Sequence, residues 1–293
     1  MDLKSWKIPS RAVPRAVPWI EKLTAETLLR AYYLLPRTPH LEIQGMENIP
    51  SGESVIFVME GASPSSFVPF LFGLYQHRST RYPAFCAPRC FYDTAFFRFL
   101  LPHLNALPVP AFGEMVAEPF ISHVGRLPTP TEISSLWSLL AGEPFTKSPG
   151  ASLFMEKLGT HNARDFLSWY RSLWEHEMLV FQELVHHSMV ECNLNVLTFA
   201  SLSCIFGDTP MDRVLPVVTA LLQSRPLLPV TCTNIEPTEF NDGAAMVFHI
   251  GDPVLLPDDI PFSGTAEGVT SVDFAAVLAN IDRLNALALS LFP

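Results

Sequence analysis

The sequence predicts an α/β fold, and three observations carry that prediction. Short apolar runs of strand length recur at residues 55–59, 82–87, 196–199, 226–232 and 246–254. Stretches with apolar residues at helical spacing separate them, chiefly over 67–75, 93–104, 129–140, 162–187 and 213–222. Such alternation is the pattern of a sheet covered by helices, and 293 residues at 48% hydrophobic content are enough to bury the core it needs.

Taken in order, residues 1–18 are punctuated by prolines and contain RAVP twice in tandem, which favours an extended lead-in. Pro18 then suits the first turn of a helix reaching about residue 35. Ile20, Leu23, Leu28, Ala31 and Leu34 form its apolar stripe, with Trp19, Lys22, Arg30, Tyr32 and Tyr33 beside it. An amphipathic helix of that kind fits either a membrane interface or a face of its own domain. The turn Gly45-Met46-Glu47-Asn48-Ile49-Pro50 leads into the buried strand 55–59, and Pro64 with its neighbouring serines suits a loop before the helix 67–75. A second strand at 82–87, a helix over 93–104 and the strand of Leu107 to Val109 follow.

The stretch 113–190 reads as a helical insertion forming a two-helix cap over the sheet opening. Thr129-Pro130-Thr131-Glu132 has the form of a capping box with proline in the first turn and starts one helix. After a loop at 142–150, Phe166, Trp169 or Tyr170, Leu173 or Trp174, Phe181, and Leu184 or Val185 mark the apolar face of a longer one. Beyond it come the strand 196–199, the helix 213–222, the strands 226–232 and 246–254, and a terminal helix over 272–291. The organisation expected is a basic arm at 1–40 and one α/β domain at 41–293.

Charge and cysteine usage narrow the function. The net charge is -10, although residues 1–40 carry seven Lys/Arg against three Asp/Glu, so a basic arm is attached to an acidic body. Phosphate-backbone binding needs clustered cations, which argues against nucleic acid as a partner. Five cysteines, an odd number, without a signal-peptide core imply a reduced cytoplasmic setting rather than a disulfide framework. Cys86 and Cys90 have no second pair to complete a zinc site and read as small hydrophobes. No apolar run reaches 18 residues. Neither a Walker loop nor G-x-G-x-x-G occurs, so no cofactor is expected, and the serines at 63, 65 and 66 lack a nucleophile elbow.

The GMENIP turn, the apolar strand behind it, PLLPV at 226–230 and HIGDPV at 249–254 resemble the glycerolipid acyltransferase family. Those enzymes move an acyl chain from a thioester carrier onto lysophosphatidate or glycerol 3-phosphate. The resemblance covers residues 41–110 and 195–290 and implies an acyltransferase-like mixed sheet flanked by helices, with an inserted helical cap and an N-terminal amphipathic helix. It also implies a catalytic His-x4-Asp motif before a proline. With Pro69 at the proline's place, Ser63 stands for the histidine and Val68 for the aspartate. The Pro-Glu-Gly-Thr phosphate loop is replaced by Ala200-Ser201-Leu202-Ser203, and Pro110-Ala111-Phe112 follows Val109 where an arginine is expected. Ser65, Phe67, Ala200, Ser201 and Leu202 are the ligand-facing positions it implies.

Ser63 cannot take a proton near neutral pH, Val68 cannot orient a base, and a missing general base alone removes about 10² to 10⁴ in rate. Three readings stay open. The chain is a pseudoenzyme binding a lipid, pigment or acyl chain, or a protein partner, with the arm at 1–40 touching a membrane surface. Alternatively it is an active acyltransferase in which His161, His176, His186 or His187 supplies the base, or it is a structural subunit of a complex. His77 to Pro83 and His161 to Asp165 are weaker echoes of the dyad spacing. Glu183 and His186 are half of a di-iron pattern with no second half, so no metal is expected.

Overall fold

The computed structural model describes residues 41–60, 64–77, 81, 83–88, 92, 101–143, 148–200, 209–233, 246–254, 265–266, 269–270 and 274–292. The expected basic arm, its amphipathic helix and most of the expected helix at 93–104 lie outside them. Of that last helix only a 3-10 turn at Leu101–Leu104 is described.

Seven strands form one mixed sheet flanked by helices. They are β1 (Leu41–Gln44), β2 (Ile56–Met59), β3 (Pro83–Pro88), β4 (Ala106–Val109), β5 (Asn195–Phe199), β6 (Leu227–Thr233) and β7 (Met246–Ile250), in the spatial order β1-β7-β6-β2-β5-β3-β4. β6, β2, β5, β3 and β4 run parallel. β7 is antiparallel to β6, and β1 follows β7. Val55 to Met59, Ala106 to Val109 and Asn195 to Phe199 are buried throughout, because parallel strands are covered on both faces and read as continuous apolar runs.

The GMENIP turn has a definite mechanical role. Gly45 adopts φ 78°, and a Cβ there would collide with the Ile250 carbonyl oxygen. Asn48 Nδ2 donates to that same oxygen at 2.9 Å. The turn therefore clamps β1 to the end of β7, which only a glycine in the left-handed region permits.

Helix α1 (Pro64–Gln76) joins β2 to β3. It corrects the expectation of a loop at Pro64 and its serines: the proline begins the first turn, where its missing N–H costs nothing. Between β4 and β5 four helices stand where two are expected: α2 (Phe112–Val124), α3 (Pro130–Leu140), α4 (Pro149–Leu158) and α5 (Ala163–His186). α5 continues into a π-helical turn at His187–Glu191. α3 opens on the anticipated capping box, with Thr129 accepting from the Glu132 N–H and Glu132 closing back on Thr129. Thr209 caps α6 (Pro210–Gln223) in the same way, with Asp212 in the place of the glutamate.

A short ribbon, β8 (Thr265–Ala266) and β9 (Val269–Thr270), precedes the end of the chain. The single terminal helix expected over 272–291 is two, α7 (Phe274–Ala279) and α8 (Ile281–Ser290). They part at Asn280, whose side chain donates back to the Ala276 carbonyl at 2.8 Å. An aromatic core ties α2, α5 and α7 together. Phe112 lies 5.0 Å from Tyr170, Tyr170 5.6 Å from Phe274, and Phe274 5.1 Å from Trp174, between ring centroids.

Candidate functional site

In open α/β sheets ligands bind beyond the carboxyl ends of the parallel strands, so that edge is the place to look. Among the described residues its floor is aromatic. The Phe67 ring stacks on Phe85 at 5.4 Å and meets Phe199 edge-on at 5.6 Å, joining the first turns of α1 to β3 and β5. Ala200, just past β5, donates its N–H to the Met59 carbonyl at 2.8 Å, which keeps β2 and β5 paired to their ends.

The expected site residues divide accordingly. Phe67 and Ala200 are both at the strand ends, and Ser65 falls in the first turn of α1. Val68 is half-buried in α1. Ser63, Ser201 and Leu202 lie outside the described residues. None of β2 to β6 carries a histidine, nor do the described residues that directly follow them, Glu60, Pro110, Ala111 and Ala200.

One residue at this edge was not expected from the sequence. Asp212 is 2% exposed, and its carboxylate sits between two helix starts. Oδ1 accepts from the Phe112 N–H at 2.7 Å, and Oδ2 accepts from the Thr209 N–H at 3.0 Å and the Thr209 hydroxyl at 2.8 Å. Ala111 has no side-chain acceptor with which to cap α2, so Asp212 supplies the cap from 100 residues away. A helix N-terminus is otherwise a ready anion site. Here the protein's own carboxylate already occupies the positive ends of α2 and α6. The local signal was present in the sequence, since Thr209-Pro210-Met211-Asp212 repeats the form of Thr129-Pro130-Thr131-Glu132; the reach to Phe112 was not.

Three titratable groups of the core are held neutral, one of them beside this carboxylate. Burial, and then the charge of Asp212, push the Tyr170 phenol well above its usual range. Burial pushes the Cys86 thiol up to about 12, against an opposing hydrogen bond with Thr198. Tyr92 donates to the Ala106 carbonyl at 2.8 Å and is likewise raised by burial. None of these can serve as a base or nucleophile at neutral pH. The Tyr170 hydroxyl and the Trp174 indole N–H, both buried on one face of α5, have no hydrogen-bond partner among the described residues.

The histidines proposed as substitute bases are spread along α5 and its ends. His161 and His176 are exposed, and the His161 backbone N–H donates to Asp165 at 3.2 Å, part of the N-terminal cap of α5. His186 Nδ1 lies 3.3 Å from Gln223 Oε1. His186 and His187 lie where α5 passes into the π-helical turn that leads to β5, and so belong to the opposite, amino-terminal edge of the parallel strands. Arg81 works at that edge too, donating to the Ser54 hydroxyl at 2.7 Å and the Gly52 carbonyl at 2.6 Å. Of the weaker dyad echo at 77–83, residues 78–80 and 82 lie outside the described set. Among the described residues no group of three or more His, Cys, Asp or Glu is placed to hold a metal ion, and no helix is long and apolar enough to cross a membrane.

No protein-family profile matches the chain, and no curated protein does. Among solved structures it is similar to the 1-acyl-sn-glycerophosphate (LPA) acyltransferase PlsC from Thermotoga maritima, at 14% identity and a TM-score of 0.38, over 93% of this chain and 80% of that one. No residue correspondence is taken from that superposition. What the structure itself establishes is a mixed α/β sheet flanked by helices, with an aromatic floor and a buried, fully engaged carboxylate at its carboxyl edge.

Proposed function

We propose that the chain is an acyltransferase-like protein that binds a neutral acyl-chain-like molecule at the carboxyl edge of the sheet and does not transfer acyl groups to a phosphate-bearing acceptor. The observation that carries this reading is the seat of Asp212. A phosphate at that edge would normally draw on helix N-termini and arginine. The N-termini of α2 and α6 are already neutralised by a buried carboxylate, and the sequence has no arginine directly after Val109. A neutral, largely apolar ligand suits a floor made by Phe67, Phe85 and Phe199. The basic arm at 1–40 is the part of the chain suited to anionic membrane surfaces, which would place such a ligand within reach of a bilayer.

The test pairs turnover with binding. The full chain is given dodecanoyl thioester with and without lysophosphatidate, and thiol release is followed. The reading expects no release that depends on lysophosphatidate, together with retention of methyl dodecanoate in native mass spectra. Lysophosphatidate-dependent release over many turnovers would overturn it.

A further inference from the structure

On the amino-terminal edge of the sheet, a thiol, an imidazole and a carboxylate meet in one short turn. His187 Nδ1 lies 2.8 Å from Glu191 Oε2, and His187 Nε2 lies 3.4 Å from Cys192 Sγ. Each ring nitrogen therefore has its own partner, with the carboxylate on one side and the thiol on the other. Burial, and then the charge of Glu191, raise the Cys192 thiol above its ordinary range, so the sulfur attacks only as its proton is removed, and the base for that step lies beside it, held in turn by a third group.

The backbone explains how residues so close in sequence manage it. In an α-helix residues five apart are turned about 140° from each other, and their side chains diverge. Here the chain leaves α-helical winding at His187. The Cys192 N–H bonds to the His187 carbonyl at 3.0 Å, an i to i+5 bond, so the wider turn brings Cys192 round to the face of His187. π turns of this kind recur at functional sites. The turn is anchored from the sheet, since the Ser54 hydroxyl donates to the Met189 carbonyl at 3.0 Å and the Leu194 N–H to Ser188 at 2.9 Å. The His187 side chain is 30% exposed and Glu191 65%, and Cys192 is half-buried, so a small electrophile can reach the sulfur.

We propose that Cys192, His187 and Glu191 form a nucleophilic centre that accepts acyl groups from thioesters. The proposal is independent of ligand binding at the carboxyl edge. In the step, Cys192 gives its proton to His187 Nε2 as the sulfur adds to the thioester carbonyl carbon. The adduct collapses by breaking the bond between that carbon and the carrier sulfur. The carrier sulfur leaves with the electron pair and takes the proton back from His187. The products are an S-acylated Cys192 and a free carrier thiol, with no oxidant needed. A thioester suits the site because its carrier leaves as a thiolate no more basic than that of Cys192, which burial and Glu191 raise, so the leaving group does not oppose the exchange. An anionic electrophile would meet the charge of Glu191. His187 touches the reacting sulfur and acts as base; Glu191 acts through His187 as a positioning residue.

The test incubates the full chain with S-octanoyl-N-acetylcysteamine and maps acylated cysteines by peptide mass spectrometry over time. Cys232 is a reference thiol without an adjacent imidazole among the described residues, its sulfur donating to the Thr233 carbonyl; because burial pushes it up to about 12, the matched comparison for Cys192 is the His187→Ala chain. The expected result is one equivalent of acyl group on Cys192, formed about 100-fold faster than in the His187→Ala chain, the lower range of what a positioned base contributes. Added imidazole should restore part of that advantage to His187→Ala. Glu191→Ala should cause a smaller loss that Glu191→Gln recovers. Equal acylation of Cys192 and Cys232 in the unmodified chain would overturn the proposal without reference to any variant. So would a His187→Ala chain that acylates at the original rate. Because this reaction stops at one equivalent and ignores lysophosphatidate, its outcome is distinct from that of the turnover assay.

Discussion

Replacing Gly150 with alanine should destabilise the helical region between β4 and β5 through a single carboxylate. Gly150 lies in the first turn of α4, and its backbone passes so close to α3 that an added Cβ would collide with Glu132 Oε1, 2.6 Å from Arg126 Nη2 and 2.7 Å from Glu132 Cδ. A side-chain end can usually move aside, but this one is held from four directions. Arg126 donates to it twice, at 2.6 and 2.8 Å, and Thr129 donates its N–H at 2.8 Å and its hydroxyl at 3.1 Å. Displacing it opens the capping box, worth about 1 kcal/mol, and disturbs the ion pair with the solvent-exposed Arg126. The better helix propensity of alanine returns part of this, so the net loss should be below about 1 kcal/mol. Urea unfolding should show a lower midpoint at unchanged slope. The decisive comparison is the double mutant, because in a Glu132→Ala background the added methyl has nothing to displace and should be neutral or stabilising. Equal destabilisation by Gly150→Ala in both backgrounds would refute the reasoning.

The same carboxylate should leave a trace in acid. Hydrogen bonds from Arg126, and then from Thr129, outweigh the opposing effect of burial and hold Glu132 at about 2, below its ordinary 4.5. Its contribution to stability is therefore complete above about pH 4.5 and is lost as pH falls toward 2, and Glu132→Gln should flatten stability against pH in that window. Tyr170→Phe removes a buried hydroxyl with no partner among the described residues while keeping the ring, and should raise stability by about 1 kcal/mol; a loss measured by thermal unfolding would mean the hydroxyl is satisfied. Restoring the family dyad with Ser63→His and Val68→Asp should yield no lysophosphatidate acyltransferase activity, because the phosphate loop and arginine are still missing and Asp212 still fills the helix N-termini. Val68 is half-buried in α1, so the new carboxylate should also cost about 1 to 3 kcal/mol in unfolding measurements.

How far the sequence foretold this structure depended on how local the cause was. Residues 55–59 announce themselves as an unbroken apolar run, and 196–199 as one interrupted only by Thr198, because parallel strands are buried on both faces. The cap at Thr129 was readable because donor and acceptor lie three residues apart. The α2 start was not readable: Ala111 has no capping side chain, and the acceptor for Phe112 comes from Asp212, which only the fold brings near. Pro119 inside α2 masks it further. α4 did carry a local signal, Ser148 followed by Pro149, inside a stretch that otherwise looks like loop. The candidate site follows the same division. The absence of a histidine at 63 and of an arginine directly after Val109 is readable as residue type, whereas the packing of Phe67 on Phe85 and Phe199 depends on the fold. Asp212 as the shared cap, and Cys192 as the partner of His187, depend on a long-range contact and on an i to i+5 turn. Neither leaves a period in the sequence.

If Asp212 closes the helix N-termini to anions, the carboxyl edge of the sheet should bind a neutral acyl ligand in preference to a phosphate-bearing one. That preference is tested most directly by titrating the full chain with methyl dodecanoate and with dodecyl phosphate under identical conditions, below their micellar concentrations. The account predicts saturable binding of the ester and much weaker binding of the phosphate, with the preference narrowing in Asp212→Asn, whose neutral amide still offers Phe112 an acceptor but no longer opposes an anion. Equal or tighter binding of dodecyl phosphate by the unmodified chain would contradict it.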